Sequence, residues 1–377
     1  MKYRNFTADS IRGIAAINVM NAHFICAFFP YLLSRNYVDA FGQAGKITPE
    51  IGRLHTPLLT LAYNGHFAVI LFFVLSGYVL SGPYFSDNIE KIKARLAGRY
   101  LRLNGPIAMS ILFAFIIGAL GLYSNHEAGL LTENTWLQSQ YNSNSFLLDN
   151  LVKNMLYLGV LEGSPTFNPP LWSLKVEMLG SIFLLTTLLI FPPKHFYLGA
   201  LISLTLVFGY FGYSKFFLWV VAIYLGALIH RIPFEFGSRF INTSFVIFGL
   251  YLGAFQYNHL FYDWVPKILG DERKDITNII GAILVLAPLL RRDFSIFKNS
   301  IGDFLGRLSY SIYLLHFPIL CSVACFMYLG KGLSSNIFLI YITYVVLTFI
   351  CAYFFERFVD RPSHKIARRF GGFVTRK

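Results

Sequence analysis

The sequence predicts an all-α fold, a polytopic transmembrane helical bundle of about ten spans with both termini cytoplasmic. Its 377 residues are 55% hydrophobic and only 14% charged, whereas a soluble domain carries about 25% charged residues. Apolar runs of roughly 17–25 residues, the length that crosses a bilayer as a helix, recur along the chain. The basic residues are sorted by side. With the N-terminus placed inside, 22 of the 32 lysines and arginines fall on the cytoplasmic side, as the positive-inside rule requires. Both termini on one side demands an even number of spans, and ten satisfies it.

The spans are expected at about 10–33, 58–82, 98–122, 170–191, 196–213, 215–230, 240–257, 275–290, 308–329 and 335–356. The eighth is the shortest, and only Gly212 to Lys215 separates the fifth from the sixth. Two outer segments are long, 34–57 with its His55 and 123–169. Within the second, the apolar patch Leu147 to Val160 is too short to span and is expected as a short helix on or dipping into the outer surface. The basic tail, 357–377, is expected to touch anionic lipid. No cleavable signal peptide is expected, because the first apolar run is too long and no small-residue cleavage site follows it. No internal repeat is visible.

Composition also excludes. The net charge of +13 invites a nucleic-acid binder, but topology accounts for most of the excess. Cys26, Cys321, Cys325 and Cys351 all lie in apolar runs, and no Cys/His group has zinc spacing. Buried free thiols are expected and no metal site.

The first span carries Arg12 and His23. Ionisable groups are costly in lipid and face other helices or a polar cavity. Eleven residues at about 100° each come within ~20° of three full turns, so both side chains share one helix face, roughly 16 Å apart along the axis. Two readings fit: an anchoring arginine with a satisfied interhelical histidine, or a charge and a base aligned along one path.

In the second span Ser76 and Gly77 permit close helix approach, and His66 reads as an interfacial packed histidine. Lys91, Arg95, Arg99 and Arg102 follow at helical spacing and form one cationic stripe at the cytoplasmic surface. The stripe suits anionic lipid, or the phosphates of a polyanionic ligand such as coenzyme A. The fourth span opens Asn168-Pro-Pro-Leu-Trp172-Ser173-Leu-Lys-Val-Glu177. Proline suits a first helical turn. Glu177 then sits about two turns deep and needs a partner on another helix, with His23 or Arg12 as candidates. A histidine–carboxylate pair is a common way to orient a general base. In the ninth span Ser309, Tyr313 and His316 fall on one face, beside Tyr310. No phosphate loop, nucleophile elbow or zinc-protease motif appears.

Arg12 and His23, Phe72-Phe-Val-Leu-Ser-Gly-Tyr78, Arg99-Tyr-Leu-Arg102, Trp172-Ser-Leu-Lys-Val-Glu177 and Ser309-Tyr-Ser-Ile-Tyr-Leu-Leu-His316 occur in this order. Together they resemble the acyltransferase-3 family of bacterial integral-membrane O-acyltransferases, over about residues 5–365. The resemblance implies a single transmembrane acyltransferase domain spanning 1–377 in the bacterial cytoplasmic (inner) membrane, without a fused extracytoplasmic domain. It implies acyl transfer, usually acetyl, from cytoplasmic acetyl-CoA to a carbohydrate hydroxyl. Family acceptors include lipopolysaccharide O-antigen, exopolysaccharide, peptidoglycan and small glycosides. By position His23 corresponds to the catalytic base, Arg12 to its partner near the donor, and Glu177 to the acidic residue after Trp-Ser-Leu. Arg99 and Arg102 correspond to the coenzyme A contacts, and Arg95, one turn before on the same stripe, is a further candidate for them. Trp172, Ser173, Tyr310 and His316 stand as substrate or supporting residues. The competing class is a polytopic transporter of a sugar, lipid or acylated intermediate, using the same groups as a pathway.

Overall fold

Each of the ten apolar runs folds as a helix in the computed structural model, which describes residues 5–41, 56–141, 147–231, 238–291, 297, 299–331 and 336–375. The expected outer residue His55 lies outside the described residues. The longer helices are α1 (Phe6–Phe28), α2 (Gly65–Ser81), α3 (Ile89–Ala97), α4 (Arg99–Ala119), α5 (Leu171–Ile190), α6 (Phe196–Phe211), α7 (Lys215–Leu228), α8 (Arg239–Gly253), α9 (Arg273–Arg291), α10 (Ser300–Ile319), α11 (Ile337–Phe355) and α12 (Arg361–Val374). Asparagine opens several of them. The Asn5 side chain accepts from Ala8 N, Asn64 from Phe67 N and Asn299 from Gly302 N, each filling a donor that the first turn leaves open. No strand occurs among the described residues.

Among the described residues seven helices are long and apolar enough to cross a membrane: α1, α2, α4 with α3 before it, α5, α6, α10 and α11. The other three expected spans fall short for different reasons. Helices α7 and α8 have 14 and 15 residues, and α9, with 19, carries Arg273, Lys274 and Asp275 in its first turn. The shortest is therefore α7 rather than the eighth span.

Two helix pairs centre the bundle. Helices α1 and α10 run side by side where Gly13 meets the backbone at Leu305 and Gly306 meets that of Asp9. Helices α2 and α7 come closer still: a Cβ on Gly77 would strike the Ile223 carbonyl, and one on Gly226 the Val74 carbonyl. Small residues let helix backbones approach in this way, and dispersion then holds them without a hydrophobic drive between them.

The basic stripe departs from expectation. The cationic stripe is not continuous, because the helix breaks at Gly98, whose backbone packs against the Ala367 carbonyl of α12. A Cβ there would not fit. The patch Leu147 to Val160 is a short helix, as expected, with Leu147, Leu148, Val152, Leu156 and Tyr157 exposed along it. It forms a helix over Leu148–Lys153 that widens to π geometry over Asn154–Glu162 and packs on α4 and α5. Asn104 Nδ2 donates to Met155 O at 3.0 Å and Tyr100 Oη to Leu156 O, so the segment reaches the first turns of α4. The backbone carbonyls of Met155 and Leu156 thus accept from two polar side chains on that helix.

Candidate functional site

Two cavities meet inside the bundle. A terminal chamber of about 290 Å³ lies at the end where α1 begins, lined by Arg12, Arg99, Arg102, Arg307, Glu177 and Asp360 among others. A distal chamber of about 610 Å³ takes His23, His66, Trp136, Trp172, Trp219 and Asp275 from the opposite helix ends. Both are bordered by Val69 and Tyr313. Because α1 is unbroken from Phe6 to Phe28, one helix presents Arg12 to the first chamber and His23 to the second. The three-turn spacing predicted this sharing of a face.

The terminal chamber is built from interlocked charges. Glu177 accepts from Arg99 Nη2 and, at 2.6 Å, from Ser76 Oγ; Arg99 Nε also donates to Ser181 Oγ at 2.6 Å. Arg102 donates to Asp360 Oδ1 at 2.5 Å and lies over the Tyr310 ring, 5.3 Å from its centroid. Arg12 contacts Asp9 at 3.3 Å. Four guanidinium groups against two carboxylates leave the lining with a positive balance. Arg95 sits elsewhere: its Nη1 donates to the Val79 and Leu80 carbonyls at 2.7 and 2.8 Å and closes the end of α2. This is the role of a basic residue at a helix C-terminus.

The partner expected for His23 is not the one observed. Glu177 is engaged by Arg99 and Ser76, and it lines the other chamber. His23 instead meets His316, Nδ1 to Nε2, at 3.0 Å. His316 is fully buried, and its Nδ1 faces the Ile312 carbonyl at 3.0 Å. That nitrogen must carry the proton, which leaves Nε2 an acceptor. His23 Nδ1 faces this acceptor and the Val19 carbonyl at 3.1 Å, so it carries a proton in turn. The network therefore assigns an unprotonated Nε2 to His23. Trp136 stacks near the His23 ring, centroids 6.2 Å apart, and Phe317 meets it edge-on at 5.2 Å.

Tyr313 and Ser173 close the partition. The Tyr313 hydroxyl lies 2.6 Å from Ser173 Oγ and 3.0 Å from Pro170 O, and Tyr310 Oη donates to Leu103 O at 2.9 Å. Trp172 faces the distal chamber, with its ring 4.7 Å from that of Trp219. Sequence reasoning missed His66 and Asp275. Their pairing joins residues 209 positions apart, and only the charged first turn of an otherwise apolar run signalled Asp275. It also missed Asp360 as the partner of Arg102, although an acid at the start of a basic tail is a local signal.

The acyltransferase-domain family matches residues 6–357. An O-acetyltransferase of Phomopsis amygdali is 24% identical over 425 aligned residues, covering 96% of this chain and 83% of its own. An acyltransferase of Phoma sp. is 25% identical, over 96% of this chain and 94% of its own. A Staphylococcus aureus protein named as an O-acetyltransferase is 23% identical over 80% of this chain and 53% of its own. No solved structure matches.

Proposed function

The chain belongs to the acyltransferase-3 family and is an acyltransferase with the helices of a multi-pass membrane protein; from that premise we propose that it moves an acetyl group from acetyl-CoA to a carbohydrate hydroxyl. Its acceptor is a glycan such as lipopolysaccharide O-antigen or exopolysaccharide, and His23 is the general base. The termini face the cytoplasm of a bacterial cell, so acetyl-CoA enters by the terminal chamber.

The observation that carries this reading is that His23 lines the distal chamber with its Nδ1 engaged by His316 and the Val19 carbonyl, which leaves Nε2 as the nitrogen open to a substrate. A base must offer a lone pair where the acceptor hydroxyl lies. His23 Nε2 takes the hydroxyl proton as the oxygen attacks the thioester carbonyl. The tetrahedral intermediate then collapses, the C–S bond breaks, and the proton passes to the departing thiolate. His316 accepts from His23 Nδ1, which fixes the ring and supports the imidazolium that forms.

The donor fits in parts. A terminal chamber of about 290 Å³ suits the narrow pantetheine arm, with the nucleotide phosphates left at its mouth. Arg12 and Arg307 pair with Asp9 and Asp303 at 3.3 Å, carboxylates outside the chamber lining, while Arg99 and Arg102 are held by Glu177 and Asp360. Glu177 in this reading is a positioning residue for Arg99.

Purified protein incubated with radiolabelled acetyl-CoA and candidate glycans tests the proposal. Acceptor-dependent release of free coenzyme A, lost in His23→Ala, is the expected result. Activity retained in His23→Ala overturns the general-base role, and glycan movement across vesicles without acetylation supports a transporter instead.

A further inference from the structure

The distal chamber holds a second imidazole that acetyl transfer does not use. His66, in the first turn of α2, sets Nε2 3.0 Å from Asp275 Oδ1, and Trp219 Nε1 donates to that same oxygen at 2.6 Å. Asp275 is 1% exposed, yet its Oδ2 has no hydrogen-bond partner among the described residues. The adjacent Lys274 does not supply one. It turns to the Tyr37 ring, 3.9 Å from the centroid, and to the Asn36 carbonyl. Trp172 and Trp219 stand beside this cluster, and all four side chains line the chamber that His23 lines.

We propose that His66, Asp275, Trp219 and Trp172 form the acceptor subsite, seating one sugar ring so that a hydroxyl reaches His23. The inference rests on the acetyl-transfer reading above. A buried carboxylate with an unused oxygen is costly until a donor fills it, and a ligand O–H does so with a charge-assisted bond. Two indoles give a flat apolar wall for the C–H face of a ring. Hydrogen-bond acceptors beside aromatic faces suit a polyhydroxylated ring. The chamber also carries Arg35, Lys215 and Lys274, so the separate acetyl-CoA titration is what tells a sugar site from a phosphate site.

The test uses the full-length protein in detergent and a panel of methyl glycosides, with tryptophan fluorescence for glycoside binding and a separate titration for acetyl-CoA. At least one glycoside is expected to perturb the wild-type fluorescence saturably. Asp275→Asn and His66→Gln should raise its Kd, and the acceptor KM, by about tenfold to a hundredfold, the loss of one charge-assisted hydrogen bond. Acetyl-CoA affinity should stay unchanged. Should Asp275→Asn lose acetyl-CoA binding too, the gentler His66→Gln decides by the same comparison. Variants that bind glycosides like wild type, or a panel that never perturbs the fluorescence, overturn the subsite. Glycoside binding weakened by the variants in a protein that never transfers acetyl overturns the acetyl-transfer reading and leaves the subsite standing.

Discussion

His23 Nδ1 and His316 Nε2 lie 3.0 Å apart across the α1–α10 interface, and the buried member of the pair dictates the tautomer of the other. Small residues make the contact feasible. Gly13 and Gly306 let the two helices run close enough for two imidazoles to meet three turns later.

Replacing His316 therefore acts through His23. His316→Phe keeps a ring of similar size and removes the acceptor, leaving His23 Nδ1 with the Val19 carbonyl alone. We expect kcat to fall about tenfold with KM for both substrates little changed, against the roughly 10²–10⁴-fold loss of a removed general base in His23→Ala. Steady-state kinetics on both variants measures the gap, and equal losses would show that His316 does more than position.

Glu177 and Arg99 form the most enclosed ion pair lining the terminal chamber, with side chains 16% and 11% exposed. Glu177→Gln leaves the guanidinium without its counter-charge, and breaking a buried pair costs about 3–5 kcal/mol. Thermal unfolding in detergent should fall accordingly. The double variant Arg99→Met, Glu177→Leu should regain most of that stability, because no lone charge remains, while donor binding stays impaired.

The sequence made much of this legible, through signals that are local. Ten helices were readable because a span needs a long apolar run, and Arg12 and His23 because helical phase is arithmetic. The partner of Glu177 was not readable. Nothing local distinguishes His23 from Arg99 as the group across the bundle, and the choice depends on how Gly98 breaks the helix and turns Arg99 inward. His66 looked like a packed interfacial histidine because its carboxylate lies 209 residues away. The helix at 148–162 was readable as short, but its neighbours were not, because an apolar run does not say that its carbonyls meet the Tyr100 and Asn104 side chains.

Gly77 offers a test of the packing itself. Its backbone touches the Ile223 carbonyl, so Gly77→Leu must push α2 from α7. Overpacking of this kind costs about 1–3 kcal/mol or more. The displaced helix also carries Ser76 and its bond to Glu177, so stability and donor affinity should fall together. Limited proteolysis and an acetyl-CoA titration on one preparation check the coupling.

Tyr313 stands between the terminal chamber and the chamber that His23 lines, and under the proposed reaction its removal should uncouple donor from base. The ring borders both cavities, is edge-on to Phe72 with centroids 5.9 Å apart, and is tethered by its hydroxyl to Pro170 O and Ser173 Oγ. A reaction in which thioester and base approach from opposite ends needs a partition that opens for the acetyl group and otherwise keeps water from it. Tyr313→Ala joins the chambers, so water near His23 reaches the thioester. Acceptor-independent release of free coenzyme A should rise about tenfold or more while glycan acetylation falls. Tyr313→Phe keeps the ring and loses only the tether, so hydrolysis should rise less. A thiol-reactive dye measures released coenzyme A in the absence of glycan. If Tyr313→Ala loses acetylation with no rise in hydrolysis, the ring serves to hold substrate and the partition lies elsewhere.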